Sequence, residues 1–309
     1  MEDEQRRSTA ARIGIAALNF LGPGLGLIRV GRGRAGLAWL MLSTALLASI
    51  PLVYAVAPAP SFLGYAIGAA ILLFSSLACL VIATMQSWRA SRPKGEPTLW
   101  WMRWYALLGL WLLLALLDNR IVDLAHSFYK PFYAAAESMT PTISKNDRLL
   151  VDMRPIGHIA RGQVLIFGVS DQLRISRIVG MPGDRIAIRN GIPLINGRAV
   201  LQRPAGKIRY EDGQGLVTAR RIEERFPGEA GSHFILDQGH VPMTDEMPEK
   251  QVPPDRFFIL GDNRDRSADS RVSVLQNGSG LPGRAAVRGR PLFFYWSDDR
   301  AKVGKPIGG

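Results

Sequence analysis

Three long segments with almost no charged residues, 36–57, 61–84 and 99–117, constrain this chain more than any other feature. A helix needs about 20 residues to cross a hydrocarbon core of about 30 Å, and only helices and closed barrels satisfy their own backbone hydrogen bonds within lipid. The sequence therefore predicts three membrane-spanning helices and a lipid bilayer as partner. They form a membrane domain over residues 1–128.

A fourth apolar stretch, residues 13–30, is shorter and is interrupted by Gly-Pro-Gly at 22–24. Proline and glycine break a helix, because proline lacks a backbone N–H and glycine favours other conformations. This stretch is therefore predicted to be re-entrant, interfacial or a short fourth span.

The charges between these segments predict the orientation of the chain, because Lys and Arg are retained on the cytoplasmic side of a membrane. The connection at 57–60 is uncharged, whereas basic residues precede the first span and separate the second from the third: Arg29, Arg32, Arg34, Arg89, Arg92 and Lys94. The third span then starts inside. Everything after about residue 118 is expected on the extracytoplasmic side.

Residues 129–309 are predicted to form a mostly β domain, since short runs rich in Val, Ile and Phe alternate with turn-forming residues. Asn-Gly at 190–191 and again at 196–197 predicts two tight turns that bracket a strand at 192–195. Residues 203–249 are polar and weakly patterned, which indicates an insertion or an extended lobe on the β core.

The composition excludes several classes of site. The formal net charge is +12, but basic residues interleave with acidic ones and form no helical stripe, so no nucleic-acid partner is expected. A single cysteine, Cys79, excludes an internal disulfide. The four histidines lack the paired spacing of a zinc site, so neither a metal ion nor another cofactor is expected.

Three short segments combine turn-forming and charged residues densely. Residues 138–142 read Ser-Met-Thr-Pro-Thr, residues 177–184 read Arg-Ile-Val-Gly-Met-Pro-Gly-Asp, and residues 261–271 read Gly-Asp-Asn-Arg-Asp-Arg-Ser-Ala-Asp-Ser-Arg. In this order they resemble the motifs of bacterial type I signal peptidases, the membrane-anchored serine proteases that remove signal peptides from exported precursors. The resemblance covers about residues 129–185 and 252–295. It implies a β domain of the signal peptidase type and a multi-pass protein of the bacterial plasma membrane.

The resemblance also implies a mechanism, in which Ser138 Oγ attacks the scissile carbonyl and a neutral lysine takes its proton. Such a base is physically possible, because burial can lower the pKa of an ammonium group by up to about 3–5 units. The family places this lysine directly before Arg177, and here that position is Ser176. A serine hydroxyl is not a base at ordinary pH, so either a substitute exists or the chain is not an efficient protease.

The candidates for a substitute base lie near the motifs or in the lobe: Arg174, Lys145, Lys207, Lys250, His233 and His240. A guanidinium stays protonated in proteins, whereas an imidazole titrates near neutrality, which makes His240 the first choice. A second departure from the family is Ala136, where family members commonly have a serine that helps to stabilise the oxyanion. Losing one such donor costs on the order of 10²–10³ in rate.

Other residues match supporting and substrate-binding positions of the family. Ser267 and Asp269 match residues that orient the lysine, and Arg271 matches the partner of that aspartate; a salt-bridged turn without catalysis is the alternative. The substrate, a precursor with small residues before the cut, is expected to bind as an added strand near residues 172–175. The positions expected to line its groove are Phe132, Ala134, Met139, Gln172, Leu173, Arg174 and Ile175.

Four functions stay open from the sequence. A membrane-anchored serine endopeptidase of the signal peptidase I type is favoured. Ser176 and Ala136 favour instead a pseudo-protease that binds precursors as a membrane receptor or scaffold. The third function is a peptidase specialised for one substrate, such as a pilin, and the fourth is a purely structural β domain.

Overall fold

A computed structural model describes residues 9–90, 98–212, 215–229, 231–239 and 241–307. The chain divides into two compact units, Met1–Phe128 and Tyr129–Gly309. The first is helical and the second is mostly β, so the predicted combination of a helical N-terminal region and a mostly β domain is confirmed.

Within residues 9–90 and 98–128, the helical unit contains three helices that are long and apolar enough to cross a membrane. Its helices are α1 (Thr9–Ala17), α2 (Leu25–Arg29), α3 (Gly33–Val56), α4 (Phe62–Arg89) and α5 (Trp104–His126). The third predicted span, 99–117, differs most from its helix. Residues 100–102 form a 3₁₀ turn before α5, and α5 continues nine residues past the end of the uncharged run. Asp118, Asn119 and Arg120 end the apolar run without ending the helix, because the helix propensities of ordinary residues differ by no more than about 0.7 kcal/mol each.

The apolar stretch at 13–30 is broken as predicted, and a buried asparagine organises the break. α1 ends at Ala17 and α2 begins at Leu25, with Gly24 in a left-handed conformation at φ +112°. The Asn19 side chain accepts hydrogen bonds from Gly24 N at 2.9 Å and Gly26 N at 3.3 Å, and donates one to Ser87 Oγ at 2.9 Å. The freed backbone donors are therefore satisfied inside the protein, as apolar surroundings require.

The β unit contains thirteen strands in three sheets among its described residues. The strands are β1 (Tyr129–Tyr133), β2 (Arg148–Asp152), β3 (Val164–Val169), β4 (Gln172–Gly180), β5 (Arg185–Arg189), β6 (Ile192–Ile195), β7 (Arg198–Ala199), β8 (Leu201–Asp212), β9 (Gly215–Arg225), β10 (His233–Asp237), β11 (Met247–Gln251), β12 (Phe258–Leu260) and β13 (Val287–Trp296); a short helix, α6, covers Pro242–Asp245. The sheet orders are β1-β2-β13-β3-β4-β12, β11-β5-β6-β7 and β10-β9-β8.

Two Asn-Gly turns fix the position of β6, as predicted. Asn190 and Asn196 have φ values of 49° and 53°, and the glycines that follow have 76° and 78°. Positive φ at both central residues defines the turn type that joins twisted antiparallel strands. The strand between the turns has the predicted bounds, Ile192–Ile195.

The predicted lobe at 203–249 contains strands of two different sheets. Strands β8, β9 and β10 form a separate sheet over Leu201–Asp237, whereas β11 belongs to another sheet, in which it pairs with β5. The weak sequence pattern has a physical cause, because most side chains of β8 are exposed and alternation needs one buried face. β8 is an edge strand and carries Pro204, an irregularity before Lys207 and exposed basic side chains.

The six-stranded sheet has an incompletely paired edge at the start of β4. Strand β4 pairs with β3 from Gln172 onward, but its pairing with β12 starts only at Arg177. Residues 172–176 of β4 therefore have a strand neighbour on one side among the described residues.

Candidate active site

A buried ion pair joins the three sequence motifs. Arg177, on β4, donates from Nε and Nη2 to the two carboxylate oxygens of Asp262, at 2.8 and 2.7 Å. The side chains are only 2% and 1% exposed. Thr142 of the first motif donates its hydroxyl to the same carboxylate. The contact therefore connects the first, second and third motifs at one point.

The charge state of this pair follows from its surroundings. Burial alone would raise the pKa of Asp262, but the Arg177 guanidinium and further hydrogen bonds lower it overall. Asp262 is therefore a carboxylate at neutral pH. Because Arg177 and Asp262 satisfy each other, their role in this structure is to hold the motifs together.

The turn that carries Ser138 packs against the third motif through Gly261. Ser138 O accepts a hydrogen bond from Asn263 N at 3.0 Å. A Cβ atom added to Gly261 would lie 2.5 Å from Ser138 O and 2.5 Å from Ser267 Cβ. Only glycine fits between these two serines, so Gly261 sets the distance at which their backbones approach.

A groove with a volume of about 460 Å³ brings the three expected serines together. Ser138, Ser176 and Ser267 all line it. All the residues expected to bind substrate line it as well: Phe132, Ala134, Met139, Gln172, Leu173, Arg174 and Ile175. The edge of β4 at 172–176 forms one wall, so an extended peptide in the groove would lie beside unpaired strand backbone.

Asp269, Arg271 and Arg177 are buried behind the groove and do not line it. Asp269 accepts hydrogen bonds from Arg271 Nε at 2.9 Å and from Gly261 N at 3.1 Å. Its carboxylate thus holds the backbone of residues 261–271. The structure shows the salt-bridged turn, and the orienting role that the resemblance implies for Asp269 stays a prediction.

Among the described residues, the groove that Ser138 lines contains no candidate base. The lining of the groove has no Lys, His, Asp or Glu. Ser176 is 3% exposed on β4, opposite Leu165 of β3.

The candidate substitutes have other partners or positions. Arg174 lines the groove, but its guanidinium donates to Ala268 O at 2.5 Å and to Asn277 O at 2.9 Å, so it fastens β4 to the loop opposite. Lys145 is half exposed and forms an ion pair with Glu137 at 3.4 Å. Of the remaining candidates, those that the structure describes do not line the groove. Lys207 and Lys250 are exposed, His233 is buried between two glutamates, and His240 lies outside the described residues.

Sequence reasoning missed a contact between the lobe and the backbone next to Ser138. Asn263 Nδ2 lies 3.1 Å from Glu137 O, to which it donates, and 2.8 Å from the hydroxyl oxygen of Tyr210 on β8. Gln238 Nε2 donates to the same hydroxyl at 2.7 Å. Nothing in the sequence marked Tyr210, because its partner Asn263 lies 53 residues away along the chain.

Comparison with known proteins gives one consistent result. The family model described as signal peptidase, peptidase S26, matches residues 101–296. Signal peptidase I of Bacillus amyloliquefaciens is 28% identical over 170 residues, which cover 54% of this chain and 76% of that protein. Signal peptidase I S of Bacillus subtilis is 26% identical over 63% of this chain and 89% of its own length. Signal peptidase I U of the same species is 30% identical over 54% and 76%.

A crystal structure of a signal peptidase I from Enterococcus faecalis is also similar. It is 23% identical, and the match covers 44% of this chain and 97% of that chain with a TM-score of 0.25. At that TM-score the superposition adds nothing to the sequence matches.

Proposed function

Because this chain belongs to the signal peptidase family, peptidase S26, we propose that it is a membrane-anchored serine endopeptidase that removes signal peptides from exported precursors. Ser138 is the nucleophile, and the cut follows a small residue. One observation carries the proposal. Ser138 lines a groove beside the unpaired edge of β4, at the point where all three family motifs meet.

The groove suits an extended precursor segment. A peptide that adds to residues 172–176 of β4 gains main-chain hydrogen bonds, and alternate side chains then point to opposite sides. Ala134 and Met139 are buried at the groove, and Ala135 and Ala136 also line it. Three alanines and one methionine therefore leave a shallow apolar space in the groove. This space fits small side chains of the substrate.

Anchoring in the plasma membrane is the second part of the proposal. Helices α3, α4 and α5 are the anchors, since each contains a window of 18 residues with at most two charged side chains. By the distribution of basic residues, the β unit lies on the extracytoplasmic side, where exported precursors emerge.

A specific observation favours a second function, which is binding of precursors without cleavage. Ser176 stands at the position of the family's lysine, and the described lining of the groove contains no Lys, His, Asp or Glu. Loss of the base in a serine protease can cost roughly 10⁶ in rate. In this form the groove keeps its affinity for signal peptides and the protein acts as a receptor or scaffold.

Cleavage of a precursor with an Ala-x-Ala site by the full-length protein in lipid tests both functions. The wild type, Ser138→Ala and Ser176→Lys are compared, and binding of a signal-peptide segment is measured in parallel. Cleavage after the small residue by the wild type, abolished in Ser138→Ala, supports the peptidase. Binding without cleavage by the wild type, with cleavage restored in Ser176→Lys, supports the receptor. Neither binding nor cleavage by any variant overturns both.

A further inference from the structure

A buried ionic cluster in the β unit lies behind the groove and has no part in the proposed chemistry. It consists of His233 at the start of β10, Glu224 on β9, Glu229 in the turn after β9, and Arg264 of the third motif. We call it the His233 cluster. Each of its side chains is at most 9% exposed.

The geometry around His233 favours a doubly protonated ring. Nε2 lies 3.2 Å from Glu224 Oε2, and Nδ1 lies 3.3 Å from Glu229 Oε1. A neutral imidazole has one N–H donor and one acceptor, whereas an imidazolium has two donors. Two carboxylates at the two ring nitrogens are therefore both satisfied only when His233 is charged.

The charge balance of the cluster leads to the same state. The groups that act on His233 from the packed elements are Glu224, Glu229 and Asp262 as carboxylates, and Arg264 and Arg177 as cations. With a neutral ring, three buried negative charges face two positive ones. An uncompensated buried charge is costly, and an imidazolium removes the imbalance.

The His233 cluster contacts two of the three motifs. On one side, Glu224 accepts two hydrogen bonds from Arg264, one of them from Nη1 at 3.1 Å, and Arg264 Nε donates to Gly261 O at 3.2 Å. On the other side, a Cβ added to Gly162 would lie 2.6 Å from Glu229 Oε1. Gly162 O in turn accepts a hydrogen bond from Arg177 at 2.7 Å.

The electrostatics of the individual groups agree with this arrangement. Burial alone would raise the pKa of Glu224, but Arg264 and His233 lower it to about 2. Burial alone would lower the pKa of His233, but its hydrogen bonds to the two glutamates raise it overall.

We infer that His233 is an imidazolium that acts as a positioning residue: through Glu224 and Glu229 it fastens the lobe to residues 261–271 and to Arg177, and loss of its proton loosens this attachment. The inference rests on the proposed function only where it concerns cleavage at Ser138. What it says about the structure of residues 261–271 does not depend on that function.

The test follows His233 and the loop without measuring cleavage. Full-length protein in lipid nanodiscs is labelled with ¹³C-histidine and titrated from pH 5.5 to 9. His233→Gln assigns the signal, and His158→Gln is the matched control, since His158 is exposed in the same unit. The His233 signal should be that of an imidazolium at pH 6.5 and should titrate above that pH. A neutral ring at pH 6.5 overturns the inference.

Hydrogen exchange in residues 261–271 tests the positioning role. The ratio of exchange rates, His233→Gln over wild type at one pH, cancels the intrinsic pH dependence of exchange. This ratio should exceed one at pH 6 and should approach one above the pKa of His233, because deprotonation then removes from the wild type the charge that the substitution removes from the variant. The ratio in β3, at 164–169, should stay below the ratio in the loop, because β3 responds only to the change in global stability.

A ratio that is one in the loop at every pH overturns the positioning role, and so does a raised ratio that does not change with pH. If His233→Gln does not fold, the signal is assigned by elimination with His126→Gln, His158→Gln and His240→Gln, and the wild-type titration still decides the charge state. These results do not depend on turnover. A protein that fails to cleave but titrates as expected loses the proposed function and keeps the inference.

Discussion

The groove and the His233 cluster lie in the same unit and contrast in their charged groups. The groove contains three serines and two arginines, and its described lining has no group that accepts a proton near neutral pH. The cluster concentrates two glutamates, a histidine and an arginine in a buried space. In this protein the buried ionisable groups hold loops in place, and the wall of the groove supplies hydroxyls and backbone. An ionisable group added to the groove should therefore change the rate of precursor cleavage. A charge removed from the buried groups outside the groove should instead change the free energy of unfolding.

The largest expected effect comes from placing a base in the groove. Ser176→Lys should raise the rate of precursor cleavage by on the order of 10² or more, because a desolvated lysine can deprotonate Ser138 and loss of a base costs roughly 10⁶. The measurement is kcat with an Ala-x-Ala precursor in lipid. Ser176→Met has similar bulk without a base and should not gain activity. Equal rates in the Lys and Met variants would show that position 176 does not serve the chemistry.

The next effect is on stability and comes from the ion pair that joins the motifs. Asp262→Asn should lower the free energy of unfolding by about 3–5 kcal/mol, because Arg177 is then left as an unpaired buried cation. Denaturant unfolding of the full-length protein, followed by a probe in the β unit, measures the change. A loss below about 1 kcal/mol would mean that water or a neighbouring group replaces the carboxylate.

A steric change at the same point should have a smaller effect. Gly261→Ala places a methyl group within 2.5 Å of Ser138 O, and overpacking of this kind costs about 1–3 kcal/mol. Cleavage should fall as well, since the turn that carries Ser138 must shift. Gly183→Ala is a control for space, because nothing lies within 4 Å of the added Cβ there, although its φ of +90° adds backbone strain of its own. Unfolding and cleavage are measured on both variants, and unchanged cleavage in Gly261→Ala contradicts the prediction.

The pH dependence of stability sharpens the contrast further. The folded-state pKa of His233 lies above its unfolded value of about 6.5, so its contribution is fully present below pH 6.5 and is lost as pH rises through the folded pKa. The difference in unfolding free energy between wild type and His233→Gln should shrink over that range. His158→Gln is the control for the substitution itself, since His158 is exposed in the same unit. A difference that grows with rising pH would mean that folding lowers the pKa of His233 and does not raise it.

The smallest effect is expected at the surface of the lobe. Arg220 forms an ion pair with Asp237 at 2.7 Å, but its side chain is 59% exposed. Arg220→Gln should therefore change the unfolding free energy by no more than about 1 kcal/mol. The same unfolding experiment measures it at low and at high salt. If Arg220→Gln lowers the free energy of unfolding as much as Asp262→Asn does, buried and exposed ion pairs do not differ in the way proposed.

The sequence predicted those features that depend on neighbouring residues. The Asn-Gly turns around β6 and the break at 22–24 were predicted, because their causes lie within two or three residues. The meeting of Ser138, Ser176 and Ser267 at one groove followed from the resemblance. Contacts between distant segments were not predicted. Glu224 and Arg264 are 40 residues apart, and neither residue type nor spacing shows that they form a buried ion pair.

The end of α5 illustrates a second limit. An uncharged run marks the part of a helix that lipid can cover, and the helix itself continues for as long as its residues favour helical backbone. The predicted end at 117 and the observed end at His126 therefore describe two different properties of the same segment.

Two strand edges of the β unit, β8 and residues 172–176 of β4, differ in how readily they can pair with an extended chain. β8 is twelve residues long, but Pro204 offers no N–H, the irregularity before Lys207 interrupts the row of backbone groups, and the basic side chains repel one another. Residues 172–176 of β4 have none of these obstacles apart from Arg174, whose guanidinium is already engaged. The long edge is thus protected against misdirected association and self-aggregation. Of these two edges, the short one next to Ser138 is therefore the better place to add a strand.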